Sequence, residues 1–237
     1  MDSAERYSRQ TMLPELGAEG QKRLSATKIL LVGAGGLGSP IATYLTAAGI
    51  GTLGIIDADK VSVSNLQRQT LYTEDEVGQS KVECAYKRLH GLNHEVNIRT
   101  YDCFLTKDNA AEIIAGYDMV VDGCDNFATR FIINDICIAA GKPYIYGSIQ
   151  GLNGQVSVFG VPDASGKVHS YRDLYDESEL LSMEAPSKAV LGITPAVTGS
   201  VEANQVLQLA AGFGEPLIGK LWSIDLRTME SYIIDMP

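Results

Sequence analysis

The stretch TKILLVGAGGLGSPIATYLTAAGIGTLGIIDAD, residues 27–59, decides the fold. It opens on an aliphatic run with no polar face and ends at glycines, the pattern of a strand buried on both sides. Gly33, Gly35, Gly36 and Gly38 follow, three of them spaced as G-x-G-x-x-G. Apolar spacing then predicts a helix over 39–50 and a second strand over 51–57. Glycines at such a strand-to-helix turn let the chain reverse sharply and let a phosphate reach the amides at the helix N-terminus. Asp57 lies about 20 residues on, where a carboxylate can accept hydrogen bonds from ribose hydroxyls. The combination reads as an adenine-nucleotide site, with NAD, FAD and ATP all still open. The plainer alternative is a turn that only packs strand on helix.

Working outward, strand and helix keep alternating. Helical spacing recurs over 77–93, 109–117 and 126–141, and strands are expected at 95–101, 118–124 and 143–149. That order implies parallel strands joined by right-handed crossovers, an α/β fold with a doubly wound Rossmann-like sheet. Residues 1–26 are polar and mixed, broken by Pro14 and Gly17, and read as an N-terminal arm before a nucleotide-binding core over 27–148. Over 149–237 the pattern changes. GQVSVFG (154–160) alternates as an antiparallel strand does, 194–212 reads as a helix, and 220–236 as a closing hairpin that extends the sheet. Between them a charged, weakly periodic crossover loop spans about 162–191, its first part the expected mobile segment. A single domain of 237 residues is expected.

Composition removes several classes. With 45% hydrophobic and 20% charged residues the chain reads as globular. No apolar run is long enough for a membrane span, and no secretory signal opens the chain, so the expected location is cytoplasmic. A net charge of −10 argues against a nucleic-acid partner, which needs a concentrated positive face. The four cysteines contain no C-x-x-C pair, and most are expected to be reduced core side chains.

The continuation past Asp57 calls for a larger anion than one diphosphate. Asp59, Asn65, Arg68 and Gln69 crowd the segment leaving the second strand, and Lys81 opens the next helix. Arginine offers a planar fork to phosphate oxygens and lysine a compact charge. Asp125, in DGCDN, adds a carboxylate on the same carboxyl edge of the sheet. A carboxylate beside phosphate-binding cations suits Mg²⁺–triphosphate, because magnesium is usually held by one or two acids plus the phosphates.

The motifs RYSRQ (6–10), GAGGLGS (33–39), DADKVSVSNLQRQ (57–69), VGQSK (77–81), DGCDNFATR (122–130) and GITPAVTGSVEANQVLQL (192–209) are similar to those of the MoeB/ThiF/HesA family, relatives of ubiquitin-activating enzymes. The resemblance covers nearly the whole chain. It implies an adenylyltransferase that uses Mg-ATP to convert the C-terminal glycine carboxylate of a ubiquitin-like sulfur carrier, ThiS-like or MoaD-like and ending in Gly-Gly, into an acyl adenylate. It further implies that Gly35 lies by the α-phosphate, Asp57 holds the ribose, and Asn65, Arg68, Gln69 and Lys81 engage phosphates. Asp125 would bind Mg²⁺, with Gly33, Gly36, Gly38, Asp59, Ser64 and Asn126 completing the nucleotide site. Arg9 would act as an arginine finger across a homodimer interface, and 149–237 would bind the carrier. Relatives with a structural zinc carry two C-x-x-C pairs; here Ser170 and Asp173 take the first pair's place, so no zinc is expected. Residues 162–191 also lack the sulfur-relay cysteine of some relatives, leaving Cys124 as the candidate thiol. An NAD-dependent oxidoreductase and an inactive carrier-binding adaptor remain alternatives.

Overall fold

A computed structural model describes residues 3–184 and 187–237. The expected alternation is present. From the glycine stretch onward, β1 (Lys28–Val32) leads into α4 (Gly38–Ala48), then β2 (Thr52–Ile56), α5 (Lys81–Leu92) and β3 (Asn97–Tyr101). Helix α6 (Ala110–Ala115), β4 (Met119–Asp122), α7 (Phe127–Ala140) and β5 (Tyr144–Gln150) follow. The arm folds as three helices, α1 (Ser3–Arg6), α2 (Ser8–Thr11) and α3 (Gly17–Ala26). The C-terminal part supplies β6 (Asn153–Phe159), α9 (Ile193–Ala211), β7 (Lys220–Asp225) and β8 (Glu230–Asp235).

All eight strands form one sheet in the order β3-β2-β1-β4-β5-β6-β7-β8. Pairings are parallel from β3 to β5 and antiparallel from β5 to β8. Successive residues of β1 feed opposite cores. Ile29 and Leu31 meet α4, α5 and α9, whereas Leu30 and Val32 meet α6 and α7. Burial on both faces is why these strands are aliphatic throughout rather than alternating. In contrast, every residue of β8 is exposed.

The segment expected to be a mobile loop is more ordered than its weak periodicity suggested. It carries a 3₁₀ turn over Tyr171–Asp173 and the helix α8 (Glu177–Ser182). Local caps explain this. Asp176 accepts the Glu179 amide at 3.0 Å, and Arg172 ties Asp135 and Glu177 together on the face of α7. Residues 185 and 186 of the crossover loop lie outside the described residues. Among the described residues no helix is long and apolar enough to cross a membrane.

Candidate nucleotide site

The sheet order places β2 on one side of β1 and β4 on the other, so consecutive crossovers diverge between β1 and β4. Such a reversal opens a crevice at the carboxyl ends of the strands. The loops after β1 and β4 touch there. A Cβ on Gly33, whose φ is +94°, would lie 2.5 Å from the Gly123 carbonyl oxygen. A Cβ on Gly38 would collide with the Gly33 carbonyl, so the loop cannot tighten around a larger residue. Gly35 and Gly36 face outward toward side chains. Gly35 looks at the Gln69 amide nitrogen, 3.6 Å from its Cβ position, and Gly36 at Pro195 and the Arg68 Cδ. Helix α9 therefore begins against the glycine loop.

Asp57, directly after β2, braces this loop. Its Oδ2 accepts the Ala34 amide and its Oδ1 the Asp59 amide, both at 2.8 Å. One lone pair on each oxygen remains for ribose hydroxyls. From the other side the Tyr72 hydroxyl donates to the Ala34 carbonyl at 2.7 Å. Tyr72 was not anticipated, and an isolated Tyr after a turn carries no local signal of such a role.

The predicted cations separate into two places. Arg68 is half-buried over Gly36 and donates to the Ser64 carbonyl at 3.0 Å, which leaves the rest of its fork free among recorded contacts. Lys81 is buried, its Nζ 2.8 Å from Asp59 and 3.9 Å from Asp57. It lies against these two carboxylates, whereas Arg68 lies over Gly36. Gln69 is 4% exposed; its Nε2 is the atom that faces Gly35, and its Oε1 has no hydrogen-bond partner among the described residues. Asn65 is half-buried and Ser64 exposed, its hydroxyl 3.1 Å from that of Ser62.

Asp125 and Asn126 follow β4 and are both exposed. The Asn126 Oδ1 caps α7 by accepting the Thr129 amide at 2.9 Å, and its amide nitrogen remains available to a ligand. Among the described residues no cluster of three or more His, Cys, Asp or Glu side chains gathers to hold a metal. A single free carboxylate beside a phosphate loop nonetheless fits magnesium that arrives with its nucleotide and keeps water and phosphate ligands. Ser170 and Asp173 form the capping box of the 3₁₀ turn at Tyr171–Asp173. Ser170 Oγ accepts the Arg172 amide at 3.2 Å and Asp173 accepts the Ser170 amide at 2.8 Å.

Beneath Asp125 lies a buried polar cluster that the sequence reading missed: Asp122, Arg130, Tyr144 and Glu202. A signal existed. Arg130 shares the buried face of α7 with Ile133, Asn134 and Cys137, at the i, i+3, i+4, i+7 spacing. A cation inside an apolar stripe requires a buried partner. Cys124 belongs to the same cluster, its thiol 2.8 Å from Asp122 Oδ1 and pushed up by burial and by that carboxylate.

Arg9 lies elsewhere. It is exposed on α2, and Gln10 beside it donates to the Ala48 carbonyl, the last residue of α4, at 2.9 Å. The glycine loop borders the first residue of α4, so about 15 Å of helix axis separates the two ends.

These elements define a nucleotide-binding α/β enzyme whose crevice carries more positive charge and carboxylate than a dinucleotide fold needs. The comparisons with known proteins refine that class. The ThiF family model matches residues 7–237, and the chain belongs to this family. The sulfur carrier protein adenylyltransferase of Thermus thermophilus is 44% identical over 94% of this chain and 84% of that protein. A probable adenylyltransferase/sulfurtransferase, MoeZ, of Mycobacterium tuberculosis is also 44% identical, but the chain spans only 58% of its length. Among solved structures, Escherichia coli MccB with ATP superposes at a TM-score of 0.80 with 26% identity, over 98% of this chain and 71% of that one. The chain is an adenylyltransferase in class. The oxidoreductase alternative is set aside by these relatives.

Proposed function

We propose that this chain adenylates the C-terminal glycine carboxylate of a ubiquitin-like sulfur carrier, ThiS-like or MoaD-like, with ATP as the second substrate. The observation that carries the reading is the switch-point crevice, where Arg68, the Asp57–Lys81 pair and the Asp125 turn surround one glycine loop. The names of its relatives supply the carrier.

The carrier carboxylate attacks the α-phosphorus of ATP. A carboxylate oxygen–phosphorus bond forms, the bond to the bridging oxygen of the β-phosphate breaks, and pyrophosphate leaves with the electron pair. No proton moves, because the nucleophile is already ionised near neutral pH. The difficulty is charge: an anion must approach a polyanion. Arg68 over Gly36 offsets charge on the phosphates, the loop amides donate to a phosphate oxygen at the N-terminus of α4, and Asp57 with Lys81 fixes the ribose. Magnesium held by Asp125 would supply further neutralisation of phosphate oxygens.

Arg9 completes the site in trans. Its distance from the glycine loop of its own chain supports a homodimer in which a second copy brings Arg9 to the triphosphate. The exposed apolar groove of Tyr44, Ile193, Ala196 and Val197 between α4 and α9 starts beside the glycine loop and suits that neighbour. Sulfur then comes from a separate persulfide donor. Cys124 is a poor relay, since its buried thiol is held protonated against Asp122.

Carrier-dependent exchange of labelled pyrophosphate into ATP tests the activity. Arg68→Ala and Asp125→Ala should each lower it about 100-fold or more, the scale of losing one charge-stabilising contact. Exchange that is absent with every Gly-Gly carrier tried, or unchanged in Asp125→Ala, sinks the reading.

A further inference from the structure

The carboxylate of Asp125 makes no hydrogen bond among the described residues, yet the residues on both sides of it are held tightly. On the far side, Asn126 is fixed as the cap of α7. On the near side, Cys124 is held at three atoms. Its amide donates to Asp122 Oδ1 at 2.9 Å, its thiol reaches the same oxygen at 2.8 Å, and its carbonyl accepts from Arg130 Nη2 at 3.1 Å.

Arg130 is the centre of this arrangement. It is 5% exposed, and its Nε donates to Asp122 Oδ2 at 2.8 Å in a fully buried ion pair. Its Nη2 also reaches the Gly147 carbonyl of β5 at 3.0 Å, and its guanidinium lies 5.4 Å from the Tyr146 ring centroid. The Tyr144 hydroxyl donates to Asp122 Oδ2 at 3.1 Å from the same strand. The turn after β4 is thus tied to α7 and β5 from inside. Burying an ion pair at this cost in desolvation is weak evidence for a role in stability alone. Three of the hydrogen bonds made by Asp122 and Arg130 go to Cys124, the residue before Asp125.

We propose that Arg130 is a positioning residue for metal-dependent nucleotide binding: paired with Asp122, it pins the Cys124 peptide and so aims the Asp125 carboxylate into the crevice. The proposal rests on the nucleotide-activating reading of the site. Only Asp125 need touch the metal; Arg130 acts through the backbone. The planar fork matters, since a lysine cannot reach Asp122, Cys124 and Gly147 together.

Calorimetry with the non-hydrolysable analogue AMPCPP, with and without Mg²⁺, separates positioning from general support of the fold. Wild-type protein should bind the analogue more tightly when Mg²⁺ is present. In Arg130→Lys and Arg130→Met, binding without metal should stay within about twofold of wild type, while the Mg²⁺-dependent gain falls about tenfold. The Mg²⁺ concentration giving half-maximal pyrophosphate exchange should rise by a similar factor. Tyr144→Phe, which removes one donor to Asp122 and little volume, should show a smaller loss in the same direction and decides the matter if the Arg130 variants do not fold. A Mg²⁺ gain that is unchanged in the variants overturns the proposal. So does an equal weakening with and without metal, the signature of a merely structural residue. Wild-type binding indifferent to Mg²⁺ would remove the reading of the site and the proposal with it.

Discussion

Glu202 on α9 is fully buried, and neither of its carboxylate oxygens has a hydrogen-bond partner among the described residues. It lies against Gly147, where any Cβ would overlap its carboxyl group. The charged groups acting on it are Asp122 of β4 and Arg130 of α7, and that single guanidinium is already paired. Burial, then Asp122, holds the Glu202 carboxyl well above its ordinary range, so it is neutral in the folded chain. The sign of the linkage follows. The folded state keeps a proton that the unfolded chain releases above about pH 4.3, so this contribution to stability is full below that pH and declines as pH rises toward the folded value. Glu202→Gln removes the titration. Its stability relative to wild type should therefore climb between pH 5 and pH 8, by up to about 1.4 kcal/mol per pH unit. Denaturant unfolding at the two pH values measures this, and parallel curves for the two proteins would show that Glu202 is not neutral when folded. The residues expected around the glycine loop could be named from the sequence because each stands in a local pattern. Glu202 and Arg130 were not, because a helical stripe shows that a polar residue is buried but not which residue meets it.

The helices show how local chemistry sets a functional position. Helix α7 starts where Asn126 accepts the Thr129 amide, and the same residue adjoins Asp125. Asn126→Ala should cost about 1 kcal/mol of stability, the usual worth of an N-cap, whereas Asn126→Ser should keep most of it. Comparing pyrophosphate exchange in the two variants then isolates the amide. Activity lost in both assigns the Asn126 nitrogen to the nucleotide, and activity that tracks stability leaves it a cap. Strands β1, β2 and β4 and helices α4, α7 and α9 were legible at this scale because their apolar periods are long and their ends are marked by Gly49, Gly141 and Gly212, all with positive φ. Helix α8 was not. Six residues carry too little periodicity to announce a helix, and its Asp176 cap resembles any loop acid.

At the scale of the whole molecule, the decisive fact is that Arg9 and the glycine loop sit at opposite ends of α4. A site needing both requires two copies, and this has a sharp consequence. Arg9→Ala and Asp125→Ala should each be inactive alone. Mixed after subunit exchange, the dimers containing one of each would join an intact Asp125 site to an intact Arg9 in one of their two crevices. Random pairing makes half the dimers mixed, so about a quarter of wild-type exchange activity should return, by the symmetry of a two-fold dimer. No recovery in a mixture shown to exchange subunits would mean that Arg9 does not act across a dimer interface.

What the amino-acid sequence determined by itself was the order of elements, the glycine loop with the acid that follows the second strand, and the set of polar residues beyond it. These depend on short-range periodicity and on backbone conformations that few residue types accept, so they can be read without knowing the rest of the chain. Only the tertiary structure decided that Lys81 joins Asp57 and Asp59 rather than Arg68, that Asp122, Arg130, Tyr144 and Glu202 meet beneath Asp125, and that Arg9 lies away from its own nucleotide loop. Each of these is a matter of which side chains meet once the chain is folded. Such pairings are set by which faces of the helices the sheet brings together, and no local pattern encodes that.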